Sequence, residues 1–259
     1  MLMLVFTLVV VACGNDEKDA TAPKETKVKE EPVKLMVSAA VSLTDALEEI
    51  QTLYEDENNV ELSFSLGGSG SLAQQIQQGA PVDVFISANL EHMDTLEKAD
   101  LIVEATREDI TGNKLVLITG KDSPIDYESI DDISAENIEQ IAIGNPESVP
   151  AGMYSEQLLN KLNMWDSLKD KVVLAKDVRQ VLTYVETGNV DIGFIYESDA
   201  LTSNSIKVLA TAEDDSHDPI IYPATVIKDT KHEKEATDFV TFMASDEAQK
   251  ILIKHGFRK

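Results

Sequence analysis

Residues 33–66 read VKLMVSAAVSLTDALEEIQTLYEDENNVELSFSL, and this segment indicates the class of fold. Residues 33–39 are largely apolar and fit a buried strand, and residues 60–66 alternate between apolar and polar side chains as a strand does. Between them, residues 43–57 carry apolar side chains at helical spacing. A strand, a helix and a second strand in succession predict parallel pairing through a right-handed crossover, and hence an α/β protein.

The same alternation continues to the end of the chain. Further strands are predicted at residues 82–88, 114–120, 138–144, 172–175, 191–196, 207–210 and 220–227, and helices at residues 71–79, 89–100, 151–165, about 177–187, 233–244 and 246–254. Periodicity alone leaves open whether these elements form one large sheet or two lobes.

The composition excludes several classes of function. The 259 residues include 22 basic and 47 acidic side chains, which gives a formal net charge of −25 at pH 7. A chain this acidic lacks the basic surface that binds nucleic acids. Its single cysteine excludes a disulfide framework within the chain and every multi-cysteine metal motif. The histidines, His92, His217, His232 and His255, show none of the spacings that hold a catalytic zinc ion.

The N-terminal residues have the pattern of an export signal. Residues 1–12, MLMLVFTLVVVA, are uncharged and too few to span a bilayer as a helix, which needs about 20 residues. Small residues before Cys13 resemble the processing site of bacterial lipoproteins, which predicts a signal peptide at residues 1–13 with lipidated Cys13. The alternative is an incidental buried thiol. The usual basic residue before the apolar run is missing, which a start codon placed too late would explain.

A polar segment follows the single cysteine. Residues 14–32, GNDEKDATAPKETKVKEEP, have no periodicity and almost no apolar side chains. Such a segment buries too little surface to offset the entropy lost on ordering. The sequence therefore predicts a disordered tether before the folded part.

Two serine-containing helix starts are candidates for ligand binding. Ser42 follows the first strand and stands three residues before Asp45, the spacing of a capping box. Ser69 follows Gly67 and Gly68, which would let the backbone approach a ligand closely. Each hydroxyl, with the free N–H groups of a helix start, could bind an anion. The alternative is that both serines only cap their helices.

Three more positions offer hydrogen-bond donors. Pro150 at a first helical position leaves the next N–H, that of Ala151, without a partner inside the helix. Asp177 is placed to cap the following helix, with Val178 offering a free N–H. Tyr196 ends a strand with its hydroxyl available as a donor. Taken singly, each is also explained as an ordinary helix start or a buried structural tyrosine.

Taken in order, these segments resemble the bacterial molybdate-binding proteins that feed ABC importers. The likeness runs from about Val33 to Phe257 and rests on SAAVSLTDAL, GGSGSLAQQIQQGAPVDVFISAN, GNPESVPAGMYSEQLL, AKDVRQVL and GFIYESDAL. The resemblance implies a type II periplasmic binding-protein fold. That fold has two α/β lobes, each a mainly parallel sheet flanked by helices, two hinge crossovers and a ligand in the cleft. Lobe one would be residues 33–112 plus 224–259, and lobe two residues 113–223.

The resemblance also implies a site and a function. Molybdate, and also tungstate, would contact the side chains of Ser42 and Ser69, the backbone N–H groups of Ala151 and Val178, and the hydroxyl of Tyr196. The protein would be a monomer without catalytic activity, cofactor or nucleic-acid partner. It would be lipid-anchored on the outer face of the cytoplasmic membrane, or periplasmic, and would deliver the oxyanion to the permease and ATPase of an ABC importer. No metal beyond the molybdate oxyanion is expected.

The donor set agrees with such a ligand, although other interpretations stay open. A tetrahedral dianion without a proton needs donors only, and hydroxyls and helix N-termini supply them. Another oxyanion such as sulfate would also fit. An exported serine enzyme would need a histidine base beside Ser42 or Ser69, and the sequence places none there. A purely structural surface lipoprotein is the third class.

Two charged residues stand beside the proposed donors. We expect Glu197 to be solvated and Arg179 to form a structural salt bridge.

Overall fold

A computed structural model describes residues 31–259, which form one compact unit. The predictions for the signal peptide, for Cys13 and for most of the tether concern residues 1–30, which lie outside the described part. Within residues 31–259, no helix is both long and apolar enough to cross a membrane. The described strands form two five-stranded sheets.

The first sheet contains strands from both ends of the described chain. Its strands are β1 (Val33–Ala40), β2 (Val60–Gly67), β3 (Val84–Ile86), β4 (Glu108–Gly112) and β10 (Ile221–Val226). Their spatial order is β2-β1-β3-β10-β4. Strand β1 is parallel to β2 and to β3, whereas β10 is antiparallel to both of its neighbours. Strand β10 therefore runs against the other strands of this sheet.

The second sheet repeats this arrangement. Its strands are β5 (Leu115–Gly120), β6 (Ile141–Gly144), β7 (Val172–Ala175), β8 (Ile192–Tyr196) and β9 (Ile206–Thr211), in the order β7-β6-β8-β5-β9. Strand β6 is parallel to β7 and β8, and β5 is antiparallel to β8 and β9. The two mainly parallel sheets, each flanked by helices, confirm the predicted fold class.

Helices cover both sheets. They are α1 (Thr44–Glu57), α2 (Ser69–Gln77), α3 (Leu90–Lys98), α4 (Pro150–Lys161), α5 (Trp165–Leu168), α6 (Val178–Glu186), α7 (Glu197–Ala200), α8 (Glu233–Met243) and α9 (Asp246–Lys254). The predicted apolar face of the first helix is buried, with Ala46, Leu47 and Ile50 almost fully covered. Helix α6 likewise buries Val181 and Val185 against the second sheet.

Two predicted elements differ from the structure by three residues or more at one end, and one strand was not predicted. The helix predicted at residues 151–165 ends at Lys161, because Asn163 adopts a left-handed conformation with φ 57° and stops it. Trp165 therefore begins the separate helix α5. The strand predicted from residue 138 begins at Ile141. Strand β4 was not predicted, because its first residues, Glu108 and Asp109, are charged and exposed.

The chain passes between the two sheets twice. It leaves the first sheet after Gly112 and enters the second at Leu115, and it returns between Thr211 and Ile221. Strand β10 begins three residues before 224, the lobe boundary predicted from the sequence. Helices α8 and α9 then pack against strands β10 and β4 of the first sheet. The two connections lie where hinges between two lobes are expected, and the lobe boundaries stay predictions.

Candidate functional site

A small cavity lies where the carboxyl ends of strands from both sheets meet. Its lining residues are Ala40, Val41, Ser42, Gly67, Gly68, Ser69, Ala88, Val149, Pro150, Ala151, Val178 and Tyr196. They include all five residues singled out in the sequence, and the cavity volume is about 10 Å³. That is about the space that one buried water occupies on the same measure. Among the described residues, none that lines the cavity has a charged side chain.

The two serines are held by hydrogen bonds to other segments of the chain, and neither caps its own helix. The Oγ atom of Ser42 lies 2.8 Å from the hydroxyl oxygen of Tyr222. The Oγ atom of Ser69 accepts a hydrogen bond of 2.9 Å from the N–H of Ala88. Helix α1 begins after Ser42 and helix α2 begins at Ser69, and neither helix receives a side-chain cap from the described residues. The capping interpretation is therefore wrong for both serines.

These contacts leave the serine protons available to the cavity. Because the oxygen of Ser69 accepts from Ala88, its own O–H is left to donate. The amide of Asn113 donates to the hydroxyl oxygen of Tyr222 over 3.3 Å, so the proton of Tyr222 is available to the oxygen of Ser42. When the oxygen of Ser42 accepts that proton, its own O–H is left to donate into the cavity. The site thus supplies O–H donors from the first sheet.

Two helix N-termini supply backbone donors from the second sheet. Pro150 occupies the first position of α4, as predicted, and the N–H of Ala151 has no acceptor inside that helix. Val178 is the first residue of α6, and the side chain of Asp177 caps this helix by accepting from the N–H of Gln180 over 2.8 Å. The predicted cap is therefore confirmed. Both helix starts add partial positive charge to the cavity.

Tyr196 supplies the third donor from the second sheet. Its side chain is 1% exposed, and its hydroxyl has no hydrogen-bond partner within residues 31–259. Burial raises the pKa of Tyr196 well above 10, so the hydroxyl keeps its proton. A buried hydroxyl left without a partner costs about 1–3 kcal/mol. An acceptor in the cavity would remove this penalty. Glu197, the next residue, is half-buried and is not among the lining residues.

Arg179 does not line the cavity and forms ion pairs behind it. Its Nε atom lies 2.5 Å from Oδ1 of the fully buried Asp199, and its Nη2 atom pairs with Oδ2 of Asp45. The predicted structural role of Arg179 is therefore borne out by its contacts. Burial raises the pKa of Asp199 to about 6, although the guanidinium of Arg179 acts in the opposite direction.

The partners of the serines and of Arg179 were not found in the sequence. Tyr222 and Asn113 stood in none of the quoted motifs. Asp45, Ala88 and Asp199 stood in quoted motifs without being recognised as partners, and Asp45 was assigned to a cap. In the described part of the chain, no group of three or more histidine, cysteine, aspartate or glutamate side chains could hold a metal ion. The donors around the cavity suit an anion and not a cation.

Comparison with known proteins identifies the family. A family model described as bacterial extracellular solute-binding protein matches residues 35–258. The chain belongs to this family. This solute-binding protein is 43% identical to YvgL of Bacillus subtilis (strain 168), named as an ABC transporter substrate-binding lipoprotein, over 96% of this chain and 93% of the relative.

Two further relatives carry the name of a ligand. The solute-binding protein is 38% identical to the molybdate-binding protein ModA of Haemophilus influenzae, over 86% of this chain and 89% of the relative. Its structure superposes on the periplasmic molybdate-binding protein of Azotobacter vinelandii with a TM-score of 0.78 and 25% identity. That match covers 87% of this chain and 99% of the other.

Proposed function

We propose that this solute-binding protein captures molybdate between its two sheets and delivers it to the permease and ATPase of an ABC importer. The observation that carries the proposal is the hydroxyl of Tyr196, which is buried at the cavity without a hydrogen-bond partner among the described residues. Ser42, Ser69, Ala151 and Val178 line the same cavity and would complete the donor set.

The chemistry of the cavity favours a fully deprotonated oxyanion. Hydroxyls and N–H groups supply donors, and the lining residues offer no carboxylate that could accept a proton from the ligand. A hydrogen bond to a charged group is worth about 1.5–3 kcal/mol. Several such bonds together reach the roughly 8 kcal/mol of micromolar binding after the costs of desolvation and closure.

The choice among oxyanions is supported by the relatives. Two relatives are named as molybdate-binding proteins, which favours molybdate over sulfate. Tungstate has nearly the same size and charge as molybdate, so we propose that it binds as well. We also propose that residues 33–112 plus 224–259 form one lobe and residues 113–223 the other. These lobes would close over the anion about the two connections between the sheets.

The cellular setting is part of the same proposal. We propose that Cys13 carries a lipid that anchors a monomeric protein to the outer face of the cytoplasmic membrane. The name of YvgL as a lipoprotein supports this anchor, as does the position of Cys13 after an apolar run. The protein would bind and release its ligand without catalysing a reaction and without a cofactor.

Titration calorimetry tests the ligand directly. We would titrate the protein with molybdate, tungstate, sulfate and phosphate under identical buffer conditions. We expect molybdate and tungstate to bind with dissociation constants of micromolar or below, and sulfate and phosphate to bind at least tenfold more weakly. Absence of binding by all four anions would overturn the proposal. Tighter binding of sulfate than of molybdate would replace the proposed ligand with sulfate.

A further inference from the structure

Three charged side chains lie behind the cavity and are joined through one guanidinium. Arg179 of α6 contacts Asp199 of α7 through Nε, at 2.5 Å, and Asp45 of α1 through Nη2. Helices α6 and α7 pack against the second sheet, whereas α1 packs against the first. The Asp45–Arg179 ion pair therefore joins elements of different sheets, and the Arg179–Asp199 ion pair lies within one.

Each of these charged residues stands close in sequence to a proposed donor. Asp45 lies three residues after Ser42, Arg179 directly follows Val178, and Asp199 lies three residues after Tyr196. Asp45 and Ser42 are joined by a single turn, because the helical segment that starts at Val41 continues into α1. Holding Asp45 against Arg179 therefore holds the hydroxyl of Ser42 close to the donors of the second sheet.

The Arg179–Asp199 and Asp45–Arg179 ion pairs differ in whether water can reach the carboxylate when the pair separates. Asp199 is fully buried, so losing Arg179 would leave an uncompensated charge in the protein interior. Asp45 is 41% exposed, and water can solvate its carboxylate when the pair separates. Arg179 is thus fixed to the second sheet by Asp199. Asp45 is the partner that can leave and return.

We propose that Asp45 is a positioning residue for anion capture. Its ion pair with Arg179 forms as the two lobes close, and it slows the release of the bound anion. This inference rests on the proposed function, because it requires a ligand between the two sheets. Asp45 acts through Ser42, Val178 and Tyr196, and it does not line the cavity itself.

A purely electrostatic role would have the opposite effect. A carboxylate near an anion site repels the anion, so Asp45→Asn would strengthen binding if the charge of Asp45 acted only through space. If the ion pair holds the lobes closed, the same substitution weakens binding by speeding release. Whether Asp45→Asn strengthens or weakens the binding of the anion therefore distinguishes a purely electrostatic role from a positioning role.

The chain contains a closely matched control pair. Asp94 of α3 lies 2.7 Å from Nη2 of Arg107, with side-chain exposures of 42% and 23%. The corresponding exposures are 41% for Asp45 and 25% for Arg179. Neither Asp94 nor Arg107 lines the cavity. The substitution Asp94→Asn thus removes a similar carboxylate from a similar ion pair away from the proposed site.

The experiment measures the association and dissociation rates of radiolabelled molybdate for the wild type, Asp45→Asn, Asp45→Glu and Asp94→Asn. We expect Asp45→Asn to raise the dissociation rate about 3- to 10-fold with little change in the association rate. Asp45→Glu restores the charge and should bring the dissociation rate back towards the wild-type value. Asp94→Asn should stay within about twofold of the wild type, with a thermal stability similar to that of Asp45→Asn.

Two results would overturn the inference while leaving the proposed function intact. One is a wild-type dissociation rate in Asp45→Asn, and the other is tighter binding of molybdate by that variant. A wild-type protein that binds no molybdate would instead overturn the proposed ligand and, with it, this inference. If Asp45→Asn fails to fold, the dissociation rate of Asp45→Ser decides, because this substitution also removes the carboxylate that pairs with Arg179. A dissociation rate in Asp45→Ser equal to that of the wild type would then count against the inference.

Discussion

The hydroxyl oxygen of Tyr222 lies 2.8 Å from the Oγ atom of Ser42, although 180 positions separate the two residues in the chain. Tyr222 belongs to β10, the antiparallel strand of the first sheet, and its hydroxyl also accepts from Asn113 next to the first crossover. A chain of hydrogen bonds thus leads from the crossover to a proposed donor of the cavity. The orientation of Ser42 depends on this chain.

Tyr222→Phe should therefore weaken the binding of molybdate. Without the hydroxyl, the proton of Ser42 is no longer directed by Tyr222, and we expect a loss of affinity of about 3- to 10-fold in calorimetry. Tyr54→Phe is the control, because Tyr54 is also a buried tyrosine but packs against Phe239 and Phe242 beside the first sheet. Equal affinities for the two variants would show that Tyr222 does not orient the site.

Tyr196→Phe should weaken ligand binding without destabilising the protein. The hydroxyl donates to no described residue, so its removal should change the unfolding free energy of the protein without ligand by less than about 1 kcal/mol in urea. The same change removes a proposed donor and should weaken molybdate binding about 10- to 150-fold. An unchanged affinity would exclude Tyr196 from the site, whatever its effect on stability.

Gly68→Ala should prevent closure of the two sheets around the ligand. A Cβ atom at Gly68 would lie 2.9 Å from the carbonyl oxygen of Ser148 and 3.1 Å from that of Lys176, and both acceptors belong to the other side of the cavity. We expect a loss of molybdate affinity of at least tenfold, with the unfolding free energy little changed. Small-angle scattering should then show no compaction when molybdate is added.

Gly67→Ala is the matched control for this substitution. A Cβ atom at Gly67 would meet only Leu72 within the described residues, at the ordinary contact distance of 3.6 Å. This variant should bind molybdate and become more compact as the wild type does. Compaction of Gly68→Ala on adding molybdate would contradict the steric argument.

The stability of the protein should increase on mild acidification because of Asp199. Its pKa is about 6 in the folded protein, raised by burial, against about 3.9 in an unfolded chain. Between these values the folded chain binds more protons than the unfolded chain, so stability falls as the pH rises from about 4 to about 6. The titratable groups that interact with Asp199 are Arg179, Asp45, Tyr196 and Tyr222, and Arg179 opposes the rise in its pKa.

Urea unfolding at several pH values checks this prediction. The wild type should gain about 1 kcal/mol between pH 7 and pH 5 relative to Asp199→Asn, which has no titrating carboxyl at this position. Parallel pH profiles for the two proteins would mean that Asp199 titrates at an ordinary pKa.

The positions of the five proposed donors could be predicted because local sequence determines where helices begin. Pro150 and Asp177 mark the starts of α4 and α6 by their own chemistry, and the structure places both as expected. The roles of the serine hydroxyls could not be predicted in the same way. Ser42 and Ser69 look like caps in sequence, and only the tertiary fold brings Tyr222 and Ala88 to them.

The direction of the strands and the end of helix α4 could not be predicted from the sequence either. Hydrophobic periodicity is identical for parallel and antiparallel strands, so it does not reveal that β5 and β10 run against their neighbours. The end of α4 depends on the left-handed conformation of Asn163, which the helical pattern of residues 151–165 conceals. Both features come from the way the chain packs and not from local propensity.

The donors around the cavity are divided between the two sheets, with Ser42 and Ser69 on one side and Ala151, Val178 and Tyr196 on the other. Neither side alone can surround a tetrahedral anion. If these residues bind the oxyanion as proposed, pulling the sheets apart would abolish the affinity for it without protonation, hydrolysis or exchange of a counter-ion. A transporter that separates the two lobes would release the bound oxyanion by mechanical work alone. The ligand-free protein would then differ in shape from the ligand-bound protein.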